Sequence, residues 1–143
     1  MRAAFRTGVA AVLLALAAGM AQARSAVPLQ QPERVLLAAP TGQALSQAQV
    51  RQAIVQGGAQ HGWTVAADTA NTVQLRFAKE GKHVVVVDVT YDAGGFQIRY
   101  VSSVDMKYEQ RGDVAVIHPF YNRWIDNLSR SITAQAAGLK AQP

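Results

Sequence analysis

No cysteine occurs in the 143 residues of the chain. That excludes a disulfide scaffold, a thiolate metal site, a thiol nucleophile and a lipid-modified N-terminal cysteine. Charged residues are sparse, at 16%, against 50% in the hydrophobic set, so the chain is not a disordered polyelectrolyte. It has no Gly-x-Ser-x-Gly elbow and no glycine-rich phosphate loop. Gly57-Gly58 closes a helical pattern instead of opening one, and Gly94-Gly95 joins two strand patterns. His61, His83 and His118 fall in separate segments, without the short spacing of a metal site. Neither a metal nor a cofactor is expected. Paired carboxylates for glycoside chemistry are no better supported. Ser102, His118 and Asp126 can be picked out as a triad, but no motif groups them. Internal repeats and low-complexity tracts are also missing. The length suits one domain.

What is present begins with a targeting pattern. Arg2 and Arg6 precede an apolar run over residues 8–18, and Ala21-Gln22-Ala23 is the small-x-small pattern of a signal peptidase site. The run is shorter than the roughly 20 residues a transmembrane helix needs. Residues 1–23 are therefore expected to be a secretory signal peptide, cleaved after Ala23, with a periplasmic destination. Cleavage removes two Arg and no acid, lowering the formal charge from +5 to +3, a mild excess far from a nucleic-acid stripe. Residues 24–32 are polar, carry Pro28 and Pro32, and are expected to form a flexible leader. A single domain then spans 33–138, followed by a tail over 139–143.

Within the domain, the apolar run 35–39 predicts a short strand, placed at an edge or in the centre of the sheet, and Pro40-Thr41-Gly42 a turn. Ser46 and Gln49 fit a capping box, with Leu45 and Val50 placed for a hydrophobic staple. Val50, Ala53, Ile54 and Gly57 continue a helix. Gly57-Gly58 predicts close approach to the sheet, and Gly62 the helix stop. Four strand patterns follow: 63–67, 72–77, 83–91 and 96–102. A three-residue loop at 79–81 pairs Leu75 with Val85 and Val73 with Val87. A loop at 92–95 pairs Tyr91 with Phe96, Val89 with Ile98, Val87 with Tyr100 and Val85 with Ser102. On the other face it pairs Asp88 with Arg99 and Val86 with Val101. Residues 105–116 read as a long connection with a turn at Arg111-Gly112-Asp113. A last helix begins near Pro119, carries Tyr121, Trp124, Ile125, Leu128 and Ile132 on one stripe, and ends at Gly138. The expected fold is α+β: a two-layer sandwich of an antiparallel meander sheet with two helices on one face.

The segment Ile117-His118-Pro119-Phe120-Tyr121-Asn122-Arg123-Trp124 concentrates chemistry at the start of that helix. His118 and Asn122 are i,i+4 neighbours. With Tyr100, Ser102 and Tyr108 they are expected to line a recognition site, aromatic walls with a few convergent polar groups, to which Tyr121 and Trp124 belong. The structural alternative places Tyr121 and Trp124 in the core and uses His118 and Asn122 to tie the connection to the helix. Val84, Val86 and Val101 gather on the outer sheet face, where polar residues are expected, and form a second candidate surface for a partner. Arg76, Lys79, Lys82 and Arg99 share that face and its loop while the aromatics lie on the other, so no nucleic acid is expected.

The pattern Ile98-x-Tyr100-x-Ser102, Tyr108 and Ile117-His118-x-x-Tyr121-Asn122-x-Trp124-x-x-Asn127-Leu128 resembles a family of small uncharacterised envelope proteins of proteobacteria, many of them lipoproteins. The resemblance implies an envelope location. Unlike the lipoprotein members, this chain has no lipobox cysteine, which points to a soluble periplasmic form. Two functions compete: a non-catalytic module binding an envelope protein, a glycan or a small ligand, as a monomer or weak homodimer, or a small hydrolase with His118 as general base near Tyr108 or Ser102.

Overall fold

The computed structural model describes residues 25–37 and 44–140. The signal peptide expected over 1–23, the Pro40-Thr41-Gly42 turn and residues 141–143 lie outside the described residues. The elements run β1 (Val27–Pro28), β2 (Val35–Leu36), α1 (Gln47–Gln60), β3 (Thr64–Asp68), β4 (Thr72–Lys79), β5 (His83–Asp92), β6 (Gly95–Val104), β7 (Glu109–Arg111), β8 (Val114–Ile117) and α2 (Phe120–Lys140). Among the described residues the fold is an α+β sandwich with two helices and two antiparallel sheets.

The larger sheet has the order β2-β6-β5-β4-β3, so the meander β3 to β6 is intact and β2 adds at the β6 edge. Val73, Leu75, Val85, Val87, Val89, Phe96 and Ile98 are buried on one face. They join Val50, Ala53 and Ile54 of α1 and Tyr121, Ile125, Leu128 and Ile132 of α2 in one core. The capping box forms at α1: Gln49 N–H donates to Ser46 Oγ at 3.1 Å, and Ser46 N–H to Gln49 Oε1 at 2.9 Å. Leu45 and Val50 are both buried. Gly62 stands just past the helix at φ +80, a backbone conformation that costs glycine little.

Both hairpin registers keep the expected face, but each differs in detail. Lys79 pairs with His83, so the β4–β5 loop is 80–82 and not 79–81. Leu75 therefore pairs with Val87, and Val73 with Val89. The shift is two residues on one strand, which preserves the inward set. In β5–β6 the pairs Tyr91–Phe96, Val89–Ile98, Asp88–Arg99 and Val87–Tyr100 hold. A bulge then follows: Val86 pairs with Ser102, Val85 with Ser103 and Val84 with Val104, leaving Val101 opposite no residue. Counting straight through the strand misses this extra residue.

Three further departures concern segments read as irregular. Within the stretch expected as a flexible leader, Val27 and Pro28 pair with Ile117 and Val116 of β8. Part of the supposed long connection is the hairpin β7–β8, closed by Gly112 and Asp113 with Gly112 at φ +59. Together they form a second sheet, β1-β8-β7. Finally, α2 passes through Gly138 to Lys140. Leu139 packs against the core there, which outweighs the helix cost of one exposed glycine, about 1 kcal/mol.

Gly57 brings α1 against α2 and not, as expected, against the sheet. A Cβ at this position would lie 2.8 Å from the Ile132 backbone. The buried Ser131 hydroxyl donates to the Gly57 carbonyl at 2.8 Å, so the two helices meet backbone to backbone. Gly58 does face the sheet, where its Cβ would meet Leu75 at 3.2 Å.

Gly57→Ala is expected to destabilise the fold by about 1–3 kcal/mol despite its better helix propensity, because the helices must part. Gly138→Ala, with open space around it, is expected to stabilise by up to about 1 kcal/mol. Urea midpoints of the two variants check the opposite signs. A second prediction concerns acid. The Arg34 guanidinium, and then the Gly94 N–H, hold the Asp92 carboxyl below its ordinary range. A depressed carboxyl stabilises the fold above its unfolded value, about 3.9, and that contribution is lost as pH falls through the lower folded value. The anchorage of β2 is therefore expected to loosen below about pH 4. Protection of the Leu37 amide, its exchange rate taken relative to the intrinsic rate at each pH, should fall there in the wild type and be insensitive to that titration in Asp92→Asn.

Candidate functional site

The expected recognition residues do not form one cluster. They divide between a cleft, the core and a structural clamp. Tyr100 leaves β6 just before the bulge, and Tyr108 stands just ahead of β7. Their rings stack at 4.5 Å with 16° between the planes. The Tyr100 hydroxyl is hydrogen-bonded to Ser103 Oγ at 2.8 Å. The bulge makes this possible by placing Ser103 opposite the buried Val85. Burial raises the Tyr100 pKa, against the lowering effect of the Ser103 bond. Tyr108 remains 43% exposed.

These two tyrosines line a cleft of about 470 Å³. Its walls are Leu29, Gln30, Gln31, Pro32 and Glu33 from the N-terminal segment, Gln97 to Tyr100 from β6, Tyr108 from the link into β7, and Gln110 and Ala115 from the second sheet. The size falls within the usual range for ligand pockets. The segment reaches this position because it belongs to both sheets. Leu29 N–H donates to Ala115 C=O at 2.8 Å, and Leu37 N–H to Gly94 C=O at 2.9 Å. Between those bonds the chain crosses from one sheet to the other, leaving a gap along β6.

His118, Asn122 and Trp124 do not line the cleft. His118 N–H donates to the Met106 carbonyl at 2.7 Å, tying the connection to the start of α2. Its Nδ1 accepts the Phe120 N–H at 3.1 Å, one of the donors a helix start leaves unmet. An accepting Nδ1 places the neutral ring's proton on Nε2. Asn122 holds the N-terminal segment from both sides. Its Oδ1 accepts the Gln30 N–H at 2.9 Å, and its Nδ2 donates to the Pro28 carbonyl at 3.0 Å. Trp124 packs edge-on against Phe77 at 4.9 Å. Tyr121 is fully buried, its hydroxyl has no hydrogen-bond partner among the described residues, and burial followed by the neighbouring Tyr100 pushes its pKa far up. Ser102 is exposed on β6 opposite Val86, away from these groups.

The outer face keeps its valines. Val84 and Val86 are half-buried, Val101 is 41% exposed, and Val104, unnoticed in the pattern, is 56% exposed. Polar pairs share the same face, with Gln74 Nε2 donating to Asp88 Oδ1 at 3.0 Å. The ring centroids of His83 and His118 lie 6.3 Å apart. Among the described residues, no group of three or more His, Asp or Glu converges as a metal site. No helix among them is long and apolar enough to cross a membrane.

Sequence reasoning missed Gln30, Gln31, Glu33, Gln97, Arg99, Gln110 and Ala115 as cleft residues. A partial signal existed. Gly112-Asp113 between short runs is a two-residue hairpin turn, and recognising it would have placed Gln110 and Ala115 on paired strands. No family model, curated protein or solved structure matches the chain.

Tyr121→Phe is expected to leave stability unchanged or raise it by up to about 1 kcal/mol, because the lost hydroxyl is buried and unpaired. Asn122→Ala removes both clamps and is expected to open residues 25–33 to proteolysis at concentrations that spare the wild type. Thermal unfolding and limited proteolysis, respectively, check these outcomes.

Proposed function

We propose that the chain is a non-catalytic binding module of the bacterial envelope, exported by residues 1–23, with its ligand site in the Tyr100–Tyr108 cleft. One observation carries this reading: a stacked, partly exposed tyrosine pair forms a wall of a 470 Å³ cleft on which three separate chain segments converge. Glu33 and Arg99 bring one charge of each sign to it, which suits a neutral or zwitterionic ligand better than a polyanion. The export signal and the envelope resemblance read from the sequence support a ligand outside the cytoplasm.

The hydrolase reading draws less support. Nδ1 of His118 is occupied by the Phe120 N–H, while Ser102 sits on the outer face. Tyr108 is stacked on Tyr100, and neither Tyr108 nor Ser102 has a hydrogen bond to His118 that would activate it. The valine surface on the outer face is the second candidate for a protein partner.

Native mass spectrometry of the protein purified gently from its own periplasm, set against the denatured mass, tests the proposal. A denatured mass beginning at Arg24 and a native mass carrying extra non-covalent material are expected. Tyr108→Ala, at an exposed position, should lose that material while keeping the wild-type circular dichroism spectrum. Retention of the same adduct by Tyr108→Ala overturns the cleft as its site. A hydrolytic activity abolished by His118→Ala overturns the non-catalytic assignment.

A further inference from the structure

The hydrogen-bonding character of the cleft is set by its side chains. Ile98 lines it but is only 2% exposed, so the strand beneath offers a ligand little main chain. The polar side chains around it are unevenly matched. Gln30 Nε2 donates to Asp126 Oδ1 at 3.0 Å, and Gln110 Nε2 to the Gly112 carbonyl at 2.9 Å. These bonds use the amide nitrogens and fix the amides in place. The two amide oxygens keep their lone pairs, with no protein partner among the described residues. The exposed Glu33 carboxylate likewise has neither a hydrogen bond nor an ion pair among them. Arg99 is the one cation of the wall. Its Nη2 donates to Gln97 Oε1 at 3.2 Å, which steadies the guanidinium and leaves its other N–H groups for a ligand.

Acceptors therefore outnumber donors, and the complementary ligand is rich in O–H or N–H groups. An anion brings only acceptors and meets Glu33. A cation meets Arg99. A peptide backbone needs main-chain partners that the buried Ile98 does not supply. A sugar hydroxyl both donates and accepts, and a pyranose ring also carries an apolar C–H face. Tyr108 provides the surface for that face. Its ring is backed by Tyr100 at 4.5 Å, which holds its orientation, and it stays 43% exposed.

We infer that the cleft takes a neutral oligosaccharide, one ring resting on Tyr108 while its hydroxyls donate to Glu33, Gln30 and Gln110 and accept from Arg99. This inference rests on the cleft being the binding site. The fixed amides make the site preorganised, so little side-chain freedom is lost on binding.

The experiment applies the folded mature protein to an array of immobilised neutral and anionic oligosaccharides. The strongest neutral binder is then titrated as the free sugar by NMR. Neutral glycans are expected to be retained in preference to anionic ones. Tyr108→Ala and Glu33→Ala, both at exposed positions and checked for folding by circular dichroism, are each expected to weaken binding by about tenfold or more. Tyr108→Phe keeps the ring and is expected to stay within about threefold of the wild type. Three results overturn the inference. The first is that no neutral glycan on the array is retained. In the second, anionic glycans are preferred and lose that preference in Arg99→Gln. In the third, a neutral glycan binds equally well to Tyr108→Ala and Glu33→Ala. Fragmentation of the adduct in the native mass spectrum separates this failure from that of the cleft. An adduct lost in Tyr108→Ala that is not a saccharide overturns the ligand class and leaves the cleft standing, whereas an adduct retained in Tyr108→Ala overturns both.

Discussion

The geometry of the cleft depends on one polar clamp. Asn122, at the start of α2, bonds the main chain at both Pro28 and Gln30. The intervening residue, Leu29, bonds Ala115 of the second sheet. A short segment with little apolar surface cannot offset its own ordering entropy by burial alone, and here main-chain hydrogen bonds contribute the difference. Fixing residues 28–30 against α2 and β8, while Arg34 holds Asp92, obliges the chain between them to span two sheets. The gap beneath that span is the cleft. Asn122 thus acts on the site through position, not through contact with whatever occupies it.

A second constraint lies farther along α2. Gly57 and Ser131 let α1 and α2 meet along their backbones, and this contact sets where α2 lies. Because α2 carries Asn122, its packing against α1 is linked to the N-terminal clamp at its start. The two tyrosines respond to the same layout: Tyr121 is sealed under the helix while Tyr100, its edge-on neighbour at 5.7 Å, remains at the cleft wall.

How much was legible in the sequence follows the range of each signal. Ser46 and Gln49 announce a helix start because the capping bonds join residues three apart. The stripe of Tyr121, Ile125, Leu128 and Ile132 is legible because helical periodicity is local. Tyr91–Phe96 and Asp88–Arg99 pair as the turn dictates. The bulge at Val101 left no mark, since a single inserted residue preserves the look of an apolar-polar strand. Of the recognition set, Tyr100 and Tyr108 line the cleft, whereas Tyr121 and Trp124 pack in and against the core, as their helical spacing also allowed. Gln30, Gln31 and Glu33 were invisible because they lie on the irregular crossing between β1 and β2, which is held by partners nearly the full length of the domain away.

The sequence by itself determined the α+β class, the caps, the inward faces of the strands and the apolar stripe of α2, all consequences of residue spacing over a turn or a hairpin. Only the tertiary structure decided that Val27 and Pro28 join a second sheet, that Gly57 serves the other helix, and that the chain crossing between the sheets leaves a cleft beside β6. Those outcomes depend on hydrogen bonds and backbone approaches between residues far apart in the chain, whose energies are set by three-dimensional position and leave no periodicity behind.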